Sequence, residues 1–308
     1  MNFAQPKIML VGAGAVGSSF AFSLLQTYAP AELMIVDVKA DFAQGNVWDL
    51  EDLQAFSRST KISVGTYAQA QDADIVVITA GVPRQTGETR LDLINKNRKI
   101  LQSIIEPIVA SGFAGYFVVS SNPVDILTQL TAELSGFDRR RVIGTGTLLD
   151  TARFKVALAR KIAADPQGIN AYVLGEHGDS SFVNFSEITV DGRPFQEVAT
   201  LTATEKAELE AAVHQKGGKI IQAKGATFYG VARYLGKICQ AILENQNLVL
   251  PVSAPLTGQY GLDNLYLGTP AILNNTGIAQ VLEVPLTAGE QIKMQDSATQ
   301  LQKILKDI

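Results

Sequence analysis

The sequence predicts an α/β protein, a doubly wound parallel sheet followed by a domain of α+β character. Two observations carry this. Short apolar runs alternate with stretches of helical spacing through the first half, and after about Gly144 the pattern changes to long helices mixed with hairpin-like strands. Parallel strands are covered on both faces and so read as continuous Val/Ile/Leu runs, and the helices between them are the crossovers that parallel neighbours require. A chain of 308 residues exceeds the common size of one domain. The expected division is 1–144 for the first unit and 145–308 for the second.

Lys7–Val11 is the first apolar run, and Ala15 to about Thr27 has helical spacing. Leu33–Val38 is the second run, followed by a helix over Asp41–Phe56 through Val47, Leu50 and Leu53. Lys61–Tyr67 reads as a weaker strand and Ile75–Ala80 as a strong one. Leu91–Ser111 is a long helix, Tyr116–Ser120 a strand, Val124–Ser135 a helix and Arg141–Ile143 a strand. Beyond the seam, Thr151–Ala164 is helical. Asn170–Leu174 and Ser181–Phe195 are strand-like, with Asp191-Gly192 as a hairpin turn. Thr202–Asn245 is mostly helix with a break near Lys224-Gly225, and Leu248–Leu286 returns to strands and turns. Thr287–Ile308 is an amphipathic helix with Ile292, Ala298, Leu301 and Leu305 among its apolar positions.

Composition narrows the function classes. Apolar residues make up 46% and charged residues 18%, enough for a sizeable core, and the net charge of −4 argues against a nucleic-acid partner. The single cysteine, Cys239, excludes a disulfide framework or a multi-cysteine metal site and reads as a buried helix residue; no metal is expected. No run approaches the roughly 18 apolar residues of a membrane span, so no membrane partner is expected. The opening MNFAQPKIML is too short and too early for a signal peptide, which makes the cytoplasm the expected setting. With two histidines in the chain, His177 and His214, the search for an acid or base is short. His214 lies in the polar helical stretch AAVHQKGG and reads as a solvated residue.

Gly12-Ala13-Gly14-Ala15-Val16-Gly17 follows the first strand and opens the first helix. Gly12 permits the tight turn, Gly14 lets the backbone approach a pyrophosphate, and Gly17 lets helix pack on strand. Unpaired N–H groups at the helix start then face the phosphates. Asp37, 20 residues after Gly17, ends the second strand, where a carboxylate accepts from ribose hydroxyls and repels a 2′-phosphate. In this context the motif is a Rossmann fingerprint for NAD rather than NADP.

Further motifs lie where open α/β sheets hold ligands, beyond the carboxyl ends of the strands, or in the second half. They are Pro83–Arg90, Ser120-Ser121-Asn122-Pro123, Asp150-Thr151-Ala152-Arg153 and Gly175-Glu176-His177-Gly178-Asp179. Together the chain resembles the lactate/malate dehydrogenase superfamily along its whole length, and bacterial L-lactate dehydrogenases above all. The likeness rests on GETRLDL at 87–93, SNPVDILT at 121–128, LDTARF at 149–154, GEHGD at 175–179 and KGATFYG at 224–230.

The resemblance implies hydride transfer between NADH and C2 of a small 2-keto acid. His177 matches the proton donor, and its ordinary pKa suits exchange near neutral pH. Asp150 matches the acid that orients and charges that histidine, and Arg153 the bidentate grip on the substrate carboxylate. Arg90 matches the group that polarises the carbonyl as its loop closes. Asn122 matches a residue holding the carbonyl or the nicotinamide. Implied cofactor contacts are Gly12, Gly14, Val16, Gly17, Asp37, Tyr67, Thr79, Gly81, Ser120, Asn122 and Thr145; implied substrate contacts are Arg84, Arg90, Asn122, Arg153 and Thr227. A homotetramer or homodimer is also implied.

Two departures stand out. Arg84 occupies a position where lactate enzymes usually carry Gln and malate enzymes Arg. A buried guanidinium beside C3 pairs with the second carboxylate of oxaloacetate and gains nothing from a methyl group. On charge balance the expected substrate is therefore oxaloacetate/L-malate. The alternative is pyruvate/L-lactate with Arg84 turned to solvent, which Glu88 and Thr227, both of lactate type, support. The second departure is Lys155 and Asn170, which replace the Arg and His that bind fructose 1,6-bisphosphate in many bacterial lactate dehydrogenases. A nucleotide-binding protein that kept this fold without activity is a more distant alternative; the joint presence of His177, Asp150, Arg90 and Arg153 argues against it.

Overall fold

The computed structural model of the chain describes residues 5–55, 59–83, 87 and 89–308. The first half runs β1 (Lys7–Val11), α1 (Ala15–Thr27), β2 (Glu32–Val36), α2 (Ala40–Glu51), β3 (Lys61–Val64), β4 (Ile75–Ile78), α3 (Arg90–Ala110), β5 (Tyr116–Val119), α4 (Val124–Ser135) and β6 (Val142–Gly144). Its strands pair in parallel in the order β6-β5-β4-β1-β2-β3. The order reverses between β1 and β4, and such a switch point opens the crevice where open α/β sheets take dinucleotides.

The alternation of strand side chains builds both faces of the core. Ile8, Leu10, Leu33, Ile35, Ile75 and Val77 meet α1 and α2 through Phe20, Leu24 and Val47. The intervening Met9, Val11, Met34, Val36, Val76 and Ile78 meet α3 and α4 through Ile94, Leu101, Ile105 and Leu130. Each fully buried aliphatic side chain contributes about 1.5–3 kcal/mol, and the buried positions of β1, β2 and β4 carry no polar residue on either face.

The second half runs α5 (Leu148–Ile162), β7 (Ile169–Asn170), β8 (Val173–Leu174), β9 (Phe182–Val183), β10 (Thr189–Val190), β11 (Arg193–Pro194), α6 (Phe195–Val198), α7 (Ala203–Lys224), α8 (Tyr229–Leu243), β12 (Leu248–Thr257), β13 (Asp263–Asn274), β14 (Gly277–Val281) and α9 (Ala288–Lys306). The hairpin forms where expected: Val190 pairs with Arg193, and Asp191 and Gly192 both take positive φ. Gly225, at φ +87°, ends α7 at the expected break.

Two features differ from the sequence reading, and a third is not legible in it. The expected strand over Lys61–Tyr67 stops at Val64, and Tyr67–Asp72 forms a 3₁₀ helix whose start Thr66 and Gln69 cap reciprocally. The Ser181–Phe195 region breaks into two-residue strands and short helical turns. The strands of Leu248–Leu286 do not form a sheet of their own. β12 joins β6 antiparallel at Ser253–Gly144, and β13 and β14 follow, extending the first sheet to nine strands among the described residues. The edge of β6 would otherwise present unpaired backbone groups. Ile292 faces outward, 63% exposed, whereas Ala298 and Leu301 are buried. Cys239 is buried in α8, as expected. No described helix is long and apolar enough to cross a membrane, and no group of metal-ligating side chains gathers among the described residues.

Candidate active site

The glycine-rich turn joins β1 to α1. Gly12 has φ +97°, and a Cβ there would lie 2.7 Å from the Ala80 nitrogen. A Cβ on Gly17 would fall 1.9 Å from the Gly12 oxygen, whereas one on Gly14 would meet nothing within 4 Å. The first and third glycines are thus required by protein packing, and the second leaves open space. Gly14 is also the N-cap of α1 and supplies no side-chain cap, so the first N–H groups of the helix face that space.

Asp37 extends from the end of β2. Its Oδ2 accepts from the Ala13 N–H at 2.7 Å and its Oδ1 from the Lys39 N–H at 2.9 Å. Burial and, after it, the Asp37 charge push the Tyr67 phenol up. The Thr79 hydroxyl donates to the Gly12 carbonyl at 2.8 Å and so ties β4 to the turn. A cradle open at Gly14, with donors aimed into it and an acid bound to its rim, fits a dinucleotide whose ribose carries free hydroxyls.

Beyond the carboxyl ends of β5 and β6 lies a cavity of about 270 Å³. From the first half it is lined by Val16, Ser120, Asn122 and Thr145, and from the second by Asp150, Arg153, His177, His214, Gly217 and Thr227, among others. The structure thus brings together residues as far apart in sequence as Val16 and Val231. Larger cavities of about 560 and 450 Å³ lie on the α1/α2 surface and beside α7 and α8; the second shares Arg153 and Thr227 with the polar cavity. We locate the site in the smallest of the three because the titratable groups converge there.

Asp150 sits in the first turn of α5, where the helix dipole favours a carboxylate. Its Oδ2 lies 2.5 Å from His177 Nδ1, and its Oδ1 accepts from Arg153 at 3.3 Å one turn further on. A carboxylate only accepts, so Nδ1 carries the proton of that contact. Burial pushes the Asp150 carboxyl up, but the charges and hydrogen bonds of His177 and Arg153 outweigh it and hold the group below its ordinary value. Burial likewise pushes the His177 imidazole down, and the Asp150 carboxylate outweighs that and raises it. Asp150 is buried and Arg153 nearly so, while 26% of the His177 side chain remains exposed to the cavity.

The His177 loop is held from three sides. Ser297 of α9 accepts from the Glu176 N–H at 2.7 Å, Asp125 of α4 accepts from the His177 N–H at 2.8 Å, and Ser181 donates to the Gly178 carbonyl at 2.9 Å. His214, expected in solvent, is instead half-buried at the same cavity. Its Nε2 lies 3.1 Å from the Ser181 carbonyl and 3.0 Å from the Ser181 hydroxyl, so it donates to the loop. Polar neighbours in sequence concealed this contact because it is made across α7 to a loop 33 residues away. Asn97 was also missed: it accepts from the Val82 N–H and donates to the Asn122 carbonyl, pinning the ends of β4 and β5 together. Gly81 packs against it, with a Cβ position 3.3 Å from Asn97 Oδ1.

Arg84 and Glu88 lie outside the described residues. Arg90 is the first residue of α3, whose start is capped reciprocally by Thr89 and Asp92; its side chain also lies outside what is described.

An open parallel sheet with a dinucleotide cradle, facing a paired acid, histidine and arginine, defines an NAD-dependent dehydrogenase. The comparisons with known proteins agree. The family described as "lactate/malate dehydrogenase, NAD binding domain" matches residues 6–144, and "lactate/malate dehydrogenase, alpha/beta C-terminal domain" matches residues 147–308. The chain belongs to the lactate/malate dehydrogenase family. It is 58% identical over 301 residues to L-lactate dehydrogenase 2 of Lactiplantibacillus plantarum, covering 98% of this chain and 97% of that one. It is 56% identical over 303 residues to L-lactate dehydrogenase of Lactobacillus delbrueckii subsp. bulgaricus, covering 98% and 99%. Among solved structures, the minor L-lactate dehydrogenase of Enterococcus mundtii in its ligand-bound form superposes with TM-score 0.96 at 39% identity, covering 99% of this chain and 98% of that one. The protein is an NAD-dependent 2-hydroxy-acid dehydrogenase.

Proposed function

We propose that the chain is an L-lactate dehydrogenase that interconverts pyruvate and L-lactate. The observation that carries the reaction is the His177–Asp150 contact beside Arg153 in one cavity. What favours pyruvate is that the similar relatives of L. plantarum and L. delbrueckii both bear the name L-lactate dehydrogenase. This reverses the order drawn from Arg84, which placed oxaloacetate first. Charge balance at one loop residue assumes that the residue is buried beside C3, and the relatives weigh against that assumption.

The glycine turn would hold NADH, which when bound would supply the hydride. Asp37 would accept from its adenosine ribose, and Ser120, Asn122 and Thr145 line the end of the cavity nearest β5 and β6. Arg153 grips the substrate carboxylate with the guanidinium donors that Asp150 does not engage. His177 Nε2–H then faces the keto oxygen and delivers the proton as the carbonyl carbon is reduced, while Asp150 holds the ring and its charge. In the reverse direction the same nitrogen accepts the hydroxyl proton. Arg90 polarises the carbonyl and Thr227 bounds the space for the C3 methyl.

The division at residue 144 is part of this reading: the first unit holds the cofactor and the second the proton donor. So is a homodimer or homotetramer, supported by Phe22, Phe42 and Trp48 on α1 and α2 and Ile221 and Tyr229 on α7 and α8, all half exposed or more.

The test is NADH oxidation at 340 nm with pyruvate and oxaloacetate in parallel. Pyruvate is expected to give the higher kcat/KM, and Arg84→Gln to leave it within about threefold while lowering any activity on oxaloacetate. A wild-type preference for oxaloacetate that Arg84→Gln inverts would restore the malate reading.

A further inference from the structure

The proton-donor loop is fixed by a second acid that the reaction does not otherwise use. Asp125 stands in the first turn of α4, three residues after Asn122, and is 2% exposed. Its Oδ2 accepts from the His177 N–H at 2.8 Å. Its Oδ1 and the adjoining Ser253 hydroxyl on β12 are buried as well; burial pushes the carboxyl up, and the Ser253 hydroxyl and the His177 amide pull against that. A buried carboxylate is expensive, and an apolar residue of similar volume would cost the fold less unless the acceptor serves a purpose. The helix start at Val124 offers the carboxylate a favourable dipole, which offsets part of that cost.

The placement matters more than the single bond. Asp150 holds the His177 imidazole from α5, in the second half of the chain. Asp125 holds the backbone of the same residue from α4, in the first half, next to the Asn122 segment that lines the cofactor end of the cavity. Hydride and proton must reach neighbouring atoms of one carbonyl, so the two halves need a fixed register, and displacement by about 1 Å can cost a hundredfold in rate.

We propose that Asp125 is a positioning residue which registers the His177 loop against the Asn122 segment through the His177 amide. The inference rests on the proposed reaction. Asparagine keeps an acceptor for the amide and turns its NH₂ toward the Ser253 hydroxyl, whereas leucine fills similar volume and accepts nothing.

The experiment compares wild type, Asp125→Asn and Asp125→Leu at the acid end of the pH profile, where the imidazole is protonated in all three. It reads kcat and KM for pyruvate, NADH affinity by fluorescence titration, and hydrogen exchange of the 175–181 segment by mass spectrometry. Expected are a loss in kcat of about a hundredfold for Leu with NADH affinity retained, recovery to within about tenfold of wild type for Asn, and fast exchange of the segment in Leu alone. Equal kcat losses in Asn and Leu, or a Leu variant with wild-type kcat and a protected segment, would overturn the proposal. Should the Leu variant fail to fold, Asp125→Ala, which leaves room for the amide to be solvated, takes its place with the same expected order. An inactive wild type with both keto acids would count against the proposed reaction, and the exchange comparison would still decide the role of Asp125.

Discussion

His177 and Asp150 show how opposing forces set the chemistry of a single pair. Burial disfavours both charges, yet each is the other's partner, and the result is an imidazole held above its ordinary 6.5 and a carboxyl held below its ordinary 3.8. The contribution of the histidine to stability is complete below its unfolded value and is lost as pH rises through the raised folded value. That of the acid is present above its unfolded value and is lost as pH falls through the lowered one. The difference in melting temperature between wild type and His177→Asn should therefore be largest near about pH 5–6 and shrink at alkaline pH. The same variant should lose turnover by about 10²–10⁴-fold while NADH titrates as in wild type, because the cradle stands on β1, β2 and α1. NADH affinity lost in proportion to rate would point to a disturbed fold.

At the scale of elements, glycines in similar surroundings have opposite meanings. Gly17 lies in α1 against the Gly12 carbonyl, and any side chain must force helix and strand apart. Gly217 and Gly218 lie inside α7, and a Cβ on Gly218 would meet nothing within 4 Å. Gly17→Ala should cost several kcal/mol and weaken NADH binding, whereas Gly218→Ala should stabilise the protein by about 1 kcal/mol through helix propensity. Thermal melts and NADH titration of the two variants check both signs, and a destabilising Gly218→Ala would mean that the open space is filled in solution.

The whole molecule presents apolar side chains that a monomer would leave in water. Trp48, the single tryptophan of the chain, is 64% exposed on α2. If the chain assembles through this face, sedimentation velocity will give a dimer or larger species, and Trp48→Glu will shift it toward monomer. The tryptophan emission of wild type should move to longer wavelength on dilution. A monomer at every concentration would remove the oligomer from the reading. Fructose 1,6-bisphosphate should leave the saturation curve for pyruvate unchanged, since Asn170 is exposed on β7 without a cation and burial makes the Lys155 ammonium harder to charge. A several-fold fall in apparent KM would contradict this.

The sequence by itself determined what local chemistry can determine. Continuous apolar runs, buried on both faces, specified the parallel strands, and the required geometry of a tight turn specified Gly12 and Gly17. Residue types with few other uses, His177 with Asp150 and Arg153, marked the chemistry. Tertiary structure alone decided what depends on contacts between distant segments. β12 joined the first sheet because the edge of β6 needed a partner, not because of any pattern within its own residues. His214, Asp125, Asn97 and Ser297 became parts of the site through a few hydrogen bonds to segments 15–121 residues away. Polar side chains in helices usually face water, so no spacing rule distinguishes the few whose partner arrives from another part of the fold.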